Sequence, residues 1–244
     1  QVKYVTVTGA SNVTGYVNDL KKIAKYTHKY GAKLIVDGAQ LVPHKNISLL
    51  GNNENENIDF LVFSGHKIYA PFGSGVIIGL KDYFEKNNPD YIGGGTVDLV
   101  LDNRTIYLDT PYRNEPGSQN FFGALAVMES LKQYKKIGFK TIEDNENTLQ
   151  KMLIDGMHSI DKVILYGDND NLNDRLAITT FNISGIPSHE VCSQLTNIKG
   201  IATRAGSLCA QPYIRRIFGI GDNELIDYIN HYGRPSLVRV SFGM

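Results

Sequence analysis

The first forty residues switch between two apolar patterns, and that switch restricts the fold more than any other feature of the chain. Val2 to Thr8 is β-branched and apolar, a strand by propensity. Gly9-Ala10-Ser11-Asn12 follows as a turn. From Val17 to Tyr30 the residues Val17, Leu20, Ile23, Ala24 and Tyr30 recur near helical spacing, and Gly31 supplies a C-terminal stop. Lys33 to Val36 is a second short apolar run, ending in Asp37-Gly38-Ala39-Gln40. Strand, helix, strand in that order is a βαβ unit, so its two strands are expected to be parallel. Functional residues in such sheets gather at the carboxyl ends of the strands, and Asp37 stands at one.

The pattern continues past a polar loop, Gly51 to Asn57. Phe60 to Phe63 reads as a strand with Ser64 to Lys67 at its carboxyl end, and Val76 to Leu80 as another. Asp82 to Arg113 is irregular, with Gly93-Gly94-Gly95 in its middle. Helical periodicity returns over Asn120 to Tyr134 and Thr141 to Ile160. Then the order changes: Val163 to Tyr166 and Ala177 to Ile183 read as strands, Pro187 to Leu195 as a helix, Leu237 to Phe242 as a last strand. The predicted class is α/β with a mostly parallel sheet over residues 1–130, followed by a smaller α+β domain over residues 131–244.

Composition excludes several functions. Basic and acidic residues number 25 each, so the chain lacks the basic excess of a nucleic-acid binder. The two cysteines, Cys192 and Cys209, have no CxxC spacing, which fits a reducing, cytoplasmic compartment and argues against a disulfide framework or a metal site. No apolar run reaches membrane-spanning length. The opening QVKYVTVTG lacks both an initiator methionine and a signal-peptide layout, and both ends lie on strands. The expectation is a piece of a longer protein, incomplete at its N-terminus.

Several residues sit where chemistry gathers, each with a plainer alternative. Lys67 follows an apolar run directly, in a turn of small residues beside His66; the alternative is a solvated turn lysine. Asp37 is an anion for a ligand or a turn aspartate before glycine. Ser64 and His66 can point at one anion, or His66 is a core histidine on a backbone carbonyl. Gln40 can reach what Asp37 holds, or cap a helix. In LVRVSF, alternation puts Val238 and Val240 on one face and Arg239 on the other; Arg239 lies in solvent or clamps a carboxylate. Arg204 precedes Cys209 in Thr-Arg-Ala-Gly-Ser-Leu-Cys-Ala-Gln-Pro, a loop by its Gly and Pro content. A nearby arginine favours a reactive thiolate; a buried inert cysteine is the other reading.

Taken together, these motifs resemble those of class V pyridoxal-phosphate enzymes over almost the whole chain. Ser11-Asn12-Val13-Thr14-Gly15 is similar to the family's Ser-Asn-x-x-Gly turn, Asp37-Gly38-Ala39-Gln40 to its ring-holding segment, and Ser64-Gly65-His66-Lys67 to its Schiff-base segment. Glu115-Pro116-Gly117-Ser118-Gln119-Asn120 resembles the Glu-x-Gly-Thr-x-Asn segment, whose hydroxyl reaches the phosphate of the neighbouring subunit; here that hydroxyl is on Ser118. Arg204 to Pro212 resembles the loop carrying the cysteine of short-loop cysteine desulfurases, and Arg239 matches the substrate-carboxylate arginine. Ser207-Leu208 departs from the histidines often found before that cysteine.

The resemblance implies a fold-type I enzyme using pyridoxal 5'-phosphate, and a homodimer in its full-length form. Lys67 would form the Schiff base and Asp37 would keep the ring nitrogen protonated. Asn12, Gln40, Ser64, His66 and Ser118 would complete the cofactor contacts, and Arg239 with Arg204 would take the substrate carboxylate. The implied reaction is a cysteine desulfurase's or selenocysteine lyase's. Sulfur or selenium passes from the amino acid to Cys209, alanine leaves, and an acceptor protein takes the sulfur on. Two alternatives remain at this point: an aminotransferase or other lyase with a structural Cys209, and an inactive fragment that holds no cofactor.

Overall fold

The computed structural model describes residues 2–86 and 88–244. The chain divides into two compact units, Gln1–Gly9 with Asp19–Ile137, and Ala10–Asn18 with Gly138–Met244. The division falls after residue 137 rather than near 130, because the helix read as ending at Tyr134 runs on to Ile137 and stops at Gly138, whose φ is +87°. The segment Ala10–Asn18, which takes in most of the turn read at Gly9 to Asn12 and the start of the helical pattern at Val17, belongs with the second unit.

In the first unit β1 (Tyr4–Thr8), α1 (Leu20–Lys29) and β2 (Lys33–Asp37) form the expected βαβ, with β1 and β2 parallel. The helix begins later than the periodicity suggests because Asp19 caps it, its Oδ1 accepting from the Lys22 amide at 3.0 Å. Next come β3 (Phe60–Ser64), parallel to β2, and β4 (Gly75–Gly79), antiparallel to β3. The sheet order is β1-β2-β3-β4. One face is core: Leu34, Val36, Leu61 and Phe63 are buried. The other carries Tyr4, Val62 and Ile77, all exposed.

The region read as irregular contains a short helix, α2 (Lys81–Glu85), and a hairpin of β5 (Val97–Val100) and β6 (Thr105–Tyr107). Then α3 (Phe121–Ile137) follows. Asp59 ties the start of β3 to its neighbours. This buried carboxylate accepts from the Leu34 amide at 2.8 Å, from His28 Nε2 at 2.7 Å and from Lys33 Nζ at 2.9 Å.

The second unit contains α4 (Phe139–His158), β7 (Val163–Tyr166), β8 (Ile178–Ile183), α5 (Ser188–Lys199) and β9 (Arg204–Gly206). It closes with α6 (Gln211–Ile217), α7 (Leu225–Tyr232) and β10 (Leu237–Ser241). Its sheet is antiparallel in the order β7-β8-β10-β9. Two clusters flank it: Phe181, Val191 and Val238 on one side, Val13, Leu208, Ile214 and Leu237 on the other. Arg204–Gly206 is a strand, not the loop its composition suggests, because it adds to the edge of β10 over three rungs. Among the described residues no helix is long and apolar enough to cross a membrane.

Candidate active-site residues of the two units

In the first unit the carboxyl ends of β2 and β3 lie side by side, so Asp37 and Ser64 line one groove with Thr6, Thr8 and Ile35. Asp37 Oδ1 accepts from the Ala39 amide at 2.9 Å, the turn bond expected of an aspartate before glycine. Its second oxygen has no hydrogen bond among the described residues. Gly38 lies close to the core, since a Cβ there would stand 2.6 Å from Leu61 Cδ1 and 3.0 Å from Val42 Cγ2.

Lys67 lies in a 3₁₀ turn, Gly65–Ile68, closed by Tyr69 at φ +63°. The turn is held from three sides. The Gly65 amide donates to Ser74 O at 2.8 Å, Ile68 is buried, and Ser130 of α3 donates to the Ile68 carbonyl. Lys67 is therefore half-buried rather than solvated, and its Nζ donates to Gln40 Oε1 at 3.2 Å. The Gln40 amide also meets the His44 ring at 3.5 Å. His66 is exposed, which removes the core-histidine alternative. Ser118 is exposed just before α3, whose first turn is capped by Asn120: Oδ1 accepts from the Gly123 amide at 3.0 Å.

In the second unit β10 alternates as expected, with Val238 and Leu237 entering opposite clusters. Arg239 lies on Leu237's side and is not in open solvent. Its Nη1 donates to Asn12 O at 2.9 Å, and its buried Nε has no hydrogen-bond partner among the described residues. Burial lowers the Arg239 pKa, the charge of Arg204 lowers it further, and Cys209 opposes both. Arginine still stays charged at neutral pH.

After β9 the chain makes a tight turn, with the Ala210 amide donating to Ser207 O at 2.8 Å. Its central residues, Leu208 and Cys209, have φ of +50° and +59°. This is a type I′ turn built without glycine. Each left-handed residue costs on the order of 1–2 kcal/mol, offset by the burial of Leu208 against Val13 and Leu237. Cys209 is exposed at the tip, so it is not a buried inert cysteine. Asn12 Nδ2 donates to Leu208 O at 2.6 Å.

The structure thus assembles Lys67 with Gln40, Asp37 with Ser64, and Asn12 with Arg239, Arg204 and the Cys209 turn, each set within one unit. His44 and Arg175 escaped the sequence reading. Arg175 is 2% exposed and donates to the Thr14 carbonyl from Nε at 3.0 Å, and to Asn169 Oδ1 at 2.8 Å. Its one signal was a lone arginine directly before an apolar strand.

The family model for class-V aminotransferases matches residues 1–244. A probable cysteine desulfurase of Halalkalibacterium halodurans is 34% identical over 215 residues, 88% of this chain and 51% of the relative. A cysteine desulfurase of Pectobacterium carotovorum is 31% identical over 246 residues, all of this chain and 54% of the relative. Among solved structures, an apo cysteine desulfurase from Thermococcus onnurineus superposes with a TM-score of 0.84 at 29% identity, covering 98% of this chain and 55% of that one. The cysteine desulfurase CsdA of Escherichia coli gives 0.83 at 25% identity, covering 99% and 54%. The chain spans about half the length of the curated relatives it matches. With the fold, the motif order and a family model matched from end to end, the chain belongs to the class-V aminotransferase family.

Proposed function

We propose that the protein of this chain is a pyridoxal-phosphate-dependent cysteine desulfurase. The observation that carries the reading is Cys209, exposed on a left-handed tip in a turn that Asn12 ties to the half-buried Arg239. That placement suits a thiol that must meet both an amino acid and a second protein. The kinship with cysteine desulfurases supports it.

The donor set of the first unit fits pyridoxal phosphate. Lys67 offers an amine held by an amide oxygen, Asp37 an anion with one oxygen uncommitted, and Ser64 and His66 donors at the same strand end. With Asn12, Gln40 and Ser118 these residues would hold the group, which when bound supplies an electrophilic aldehyde and an electron-withdrawing ring. Asp37 would keep a proton on a ring nitrogen beside it, and the Lys67 amine would carry protons to and from the substrate. Arg239, with Arg204, would bind the substrate carboxylate through paired donors. Cys209 would take the sulfur. L-cysteine and the Cys209 thiol give L-alanine and a Cys209 persulfide, with sulfur and hydrogen balanced.

The second unit, with its antiparallel sheet, we read as the small α+β domain of a fold-type I enzyme. The full-length protein would act as a homodimer, with Ser118 serving the neighbouring subunit's phosphate, and an acceptor protein would collect the persulfide sulfur. The test is the purified full-length protein with pyridoxal phosphate and L-cysteine. The reading expects a visible absorption band, alanine release without any 2-oxo acid, and a Cys209 persulfide seen by mass. Cys209→Ser should keep the band and lose alanine release. Turnover that demands a 2-oxo acid would make the protein an aminotransferase instead.

A further inference from the structure

The Leu208-Cys209 pair is a strained stretch of backbone in the second unit. Both residues are left-handed and neither is glycine. Inside the turn the Ala210 amide closes on Ser207 O, and Leu208 is buried. From outside, the Asn12 carboxamide donates to the Leu208 carbonyl at 2.6 Å, and no other hydrogen bond reaches that carbonyl among the described residues. Asn12 itself has a firm base. Val13 is fully buried in the cluster that holds Leu208, and Arg175 grips the Thr14 carbonyl. Residue 12 also has a second contact, through a different atom: its backbone carbonyl accepts from Arg239 Nη1 at 2.9 Å.

We propose that Asn12, beyond the cofactor contact proposed above, acts as a positioning residue that latches the Cys209 turn through its side-chain amide and joins that latch to Arg239 through its backbone, so that the arginine and the thiol are coupled through residue 12. The contacts stand by themselves; their meaning for sulfur transfer rests on the function proposed above. Only a donor can serve at this position, because the group it faces is a carbonyl. Since the two contacts use different atoms, Asn12→Ala cuts the latch and leaves the carbonyl for Arg239. A carboxylate drawn to the open donors of Arg239 would share one guanidinium with the Asn12 carbonyl, which engages Nη1. Substrate capture and the set of the thiol-bearing turn are thereby linked.

The experiment uses the 244-residue chain and needs no cofactor. Amide hydrogen exchange is followed by mass spectrometry over residues 207–212 in the parent, Asn12→Ala, Arg239→Ala and the double variant, with β7 and β8 as internal controls. Asn12→Ala should speed exchange in this turn by about fivefold, the loss of one neutral hydrogen bond, with the controls unmoved. Arg239→Ala should speed it too, and the double variant should fall short of the product of the two effects.

The second readout is alkylation of Cys209, scored on its own peptide, as the ratio of iodoacetate to iodoacetamide rates. The anionic reagent is favoured while the thiol stands near Arg239, so the ratio should fall severalfold in Asn12→Ala; a change in stability alone would not move it. Parental exchange and a parental ratio in Asn12→Ala would overturn the latch, and independent effects in the double variant would overturn the coupling. If Asn12→Ala does not fold, Asn12→Asp keeps the shape without the donor and is read by amide exchange alone. A full-length protein that turns over no cysteine, with the expected exchange in the chain, would sink the proposed function and leave the latch standing.

Discussion

Arg204 and Arg239 face each other across the antiparallel pair β9–β10, two like charges on one rung. Like charges directly opposite destabilise a sheet. The pairing makes sense where an anion is to be held, since a carboxylate near the rung would relieve the repulsion and give the unpartnered Arg239 Nε an acceptor.

Arg204→Thr should therefore stabilise the free protein, by up to about 1 kcal/mol. Arg204 is exposed, so nothing is left buried and unpaired by the change. Urea unfolding with and without an amino-acid carboxylate checks this: the variant should gain in the first condition and lose the ligand-dependent increment in the second.

Asp59 should dominate the acid limb of the stability curve. Burial pushes its carboxyl upward, but hydrogen bonds from His28, the Leu34 amide and Lys33 outweigh that and hold it below the ordinary range. A group with a lowered folded pKa contributes its stability above the unfolded value, about 3.9, and loses it as pH falls through the folded value. Urea midpoints taken from pH 6 down to pH 2 should fall in this window, and Asp59→Asn should flatten that fall. At neutral pH the same variant should lose about 3 kcal/mol, because Lys33 and His28 lose a buried partner.

Lys67→Ala should abolish the visible band that pyridoxal phosphate gives with the chain. Gln40→Ala removes the oxygen that accepts from Lys67 Nζ at 3.2 Å together with the contact to His44 and the proposed cofactor contact, and should weaken cofactor retention by about fivefold. Absorbance titration separates the two; equal retention in Gln40→Ala and the parent would show that neither the Lys67–Gln40 bond nor a Gln40 contact matters to binding.

Gly65→Ala places a Cβ 2.5 Å from Ser74 Oγ and 3.0 Å from Ser74 O. Backbone must move to admit it, at a cost of about 1–3 kcal/mol. Because Lys67 is two residues away in the same turn, cofactor retention should fall together with the thermal midpoint.

The strands were readable wherever apolar runs are long enough to bury a face. Val163 to Tyr166 is matched residue for residue, and the parallel pairing of β1 with β2 follows from the helix between them. Elements fixed by tertiary contact were not. Arg204–Gly206 is three residues long and ends in glycine, so only its pairing with β10 makes it a strand. The helices Gln211–Ile217 and Leu225–Tyr232 are too short for periodicity to register. The same holds for site residues. Lys67 and Asp37 announce themselves by following apolar runs. The double contact of Asn12 joins residues 196 and 227 positions apart, a separation no local pattern encodes.

The nine residues from Ala10 to Asn18 also decide how the chain can be cut. They leave the first unit at Gly9 and return to it at Asp19, while their side chains and carbonyls complete the second. A gene trimmed to begin at Gly138 would encode an unbroken stretch of sequence but an unfinished body. Val13 would be missing from its core, and the Arg175 guanidinium would point at a place where the Thr14 carbonyl used to be. The second unit is a module in space without being one in the gene, so recombination or truncation at the evident boundary should yield insoluble protein unless this short upstream strap travels with it.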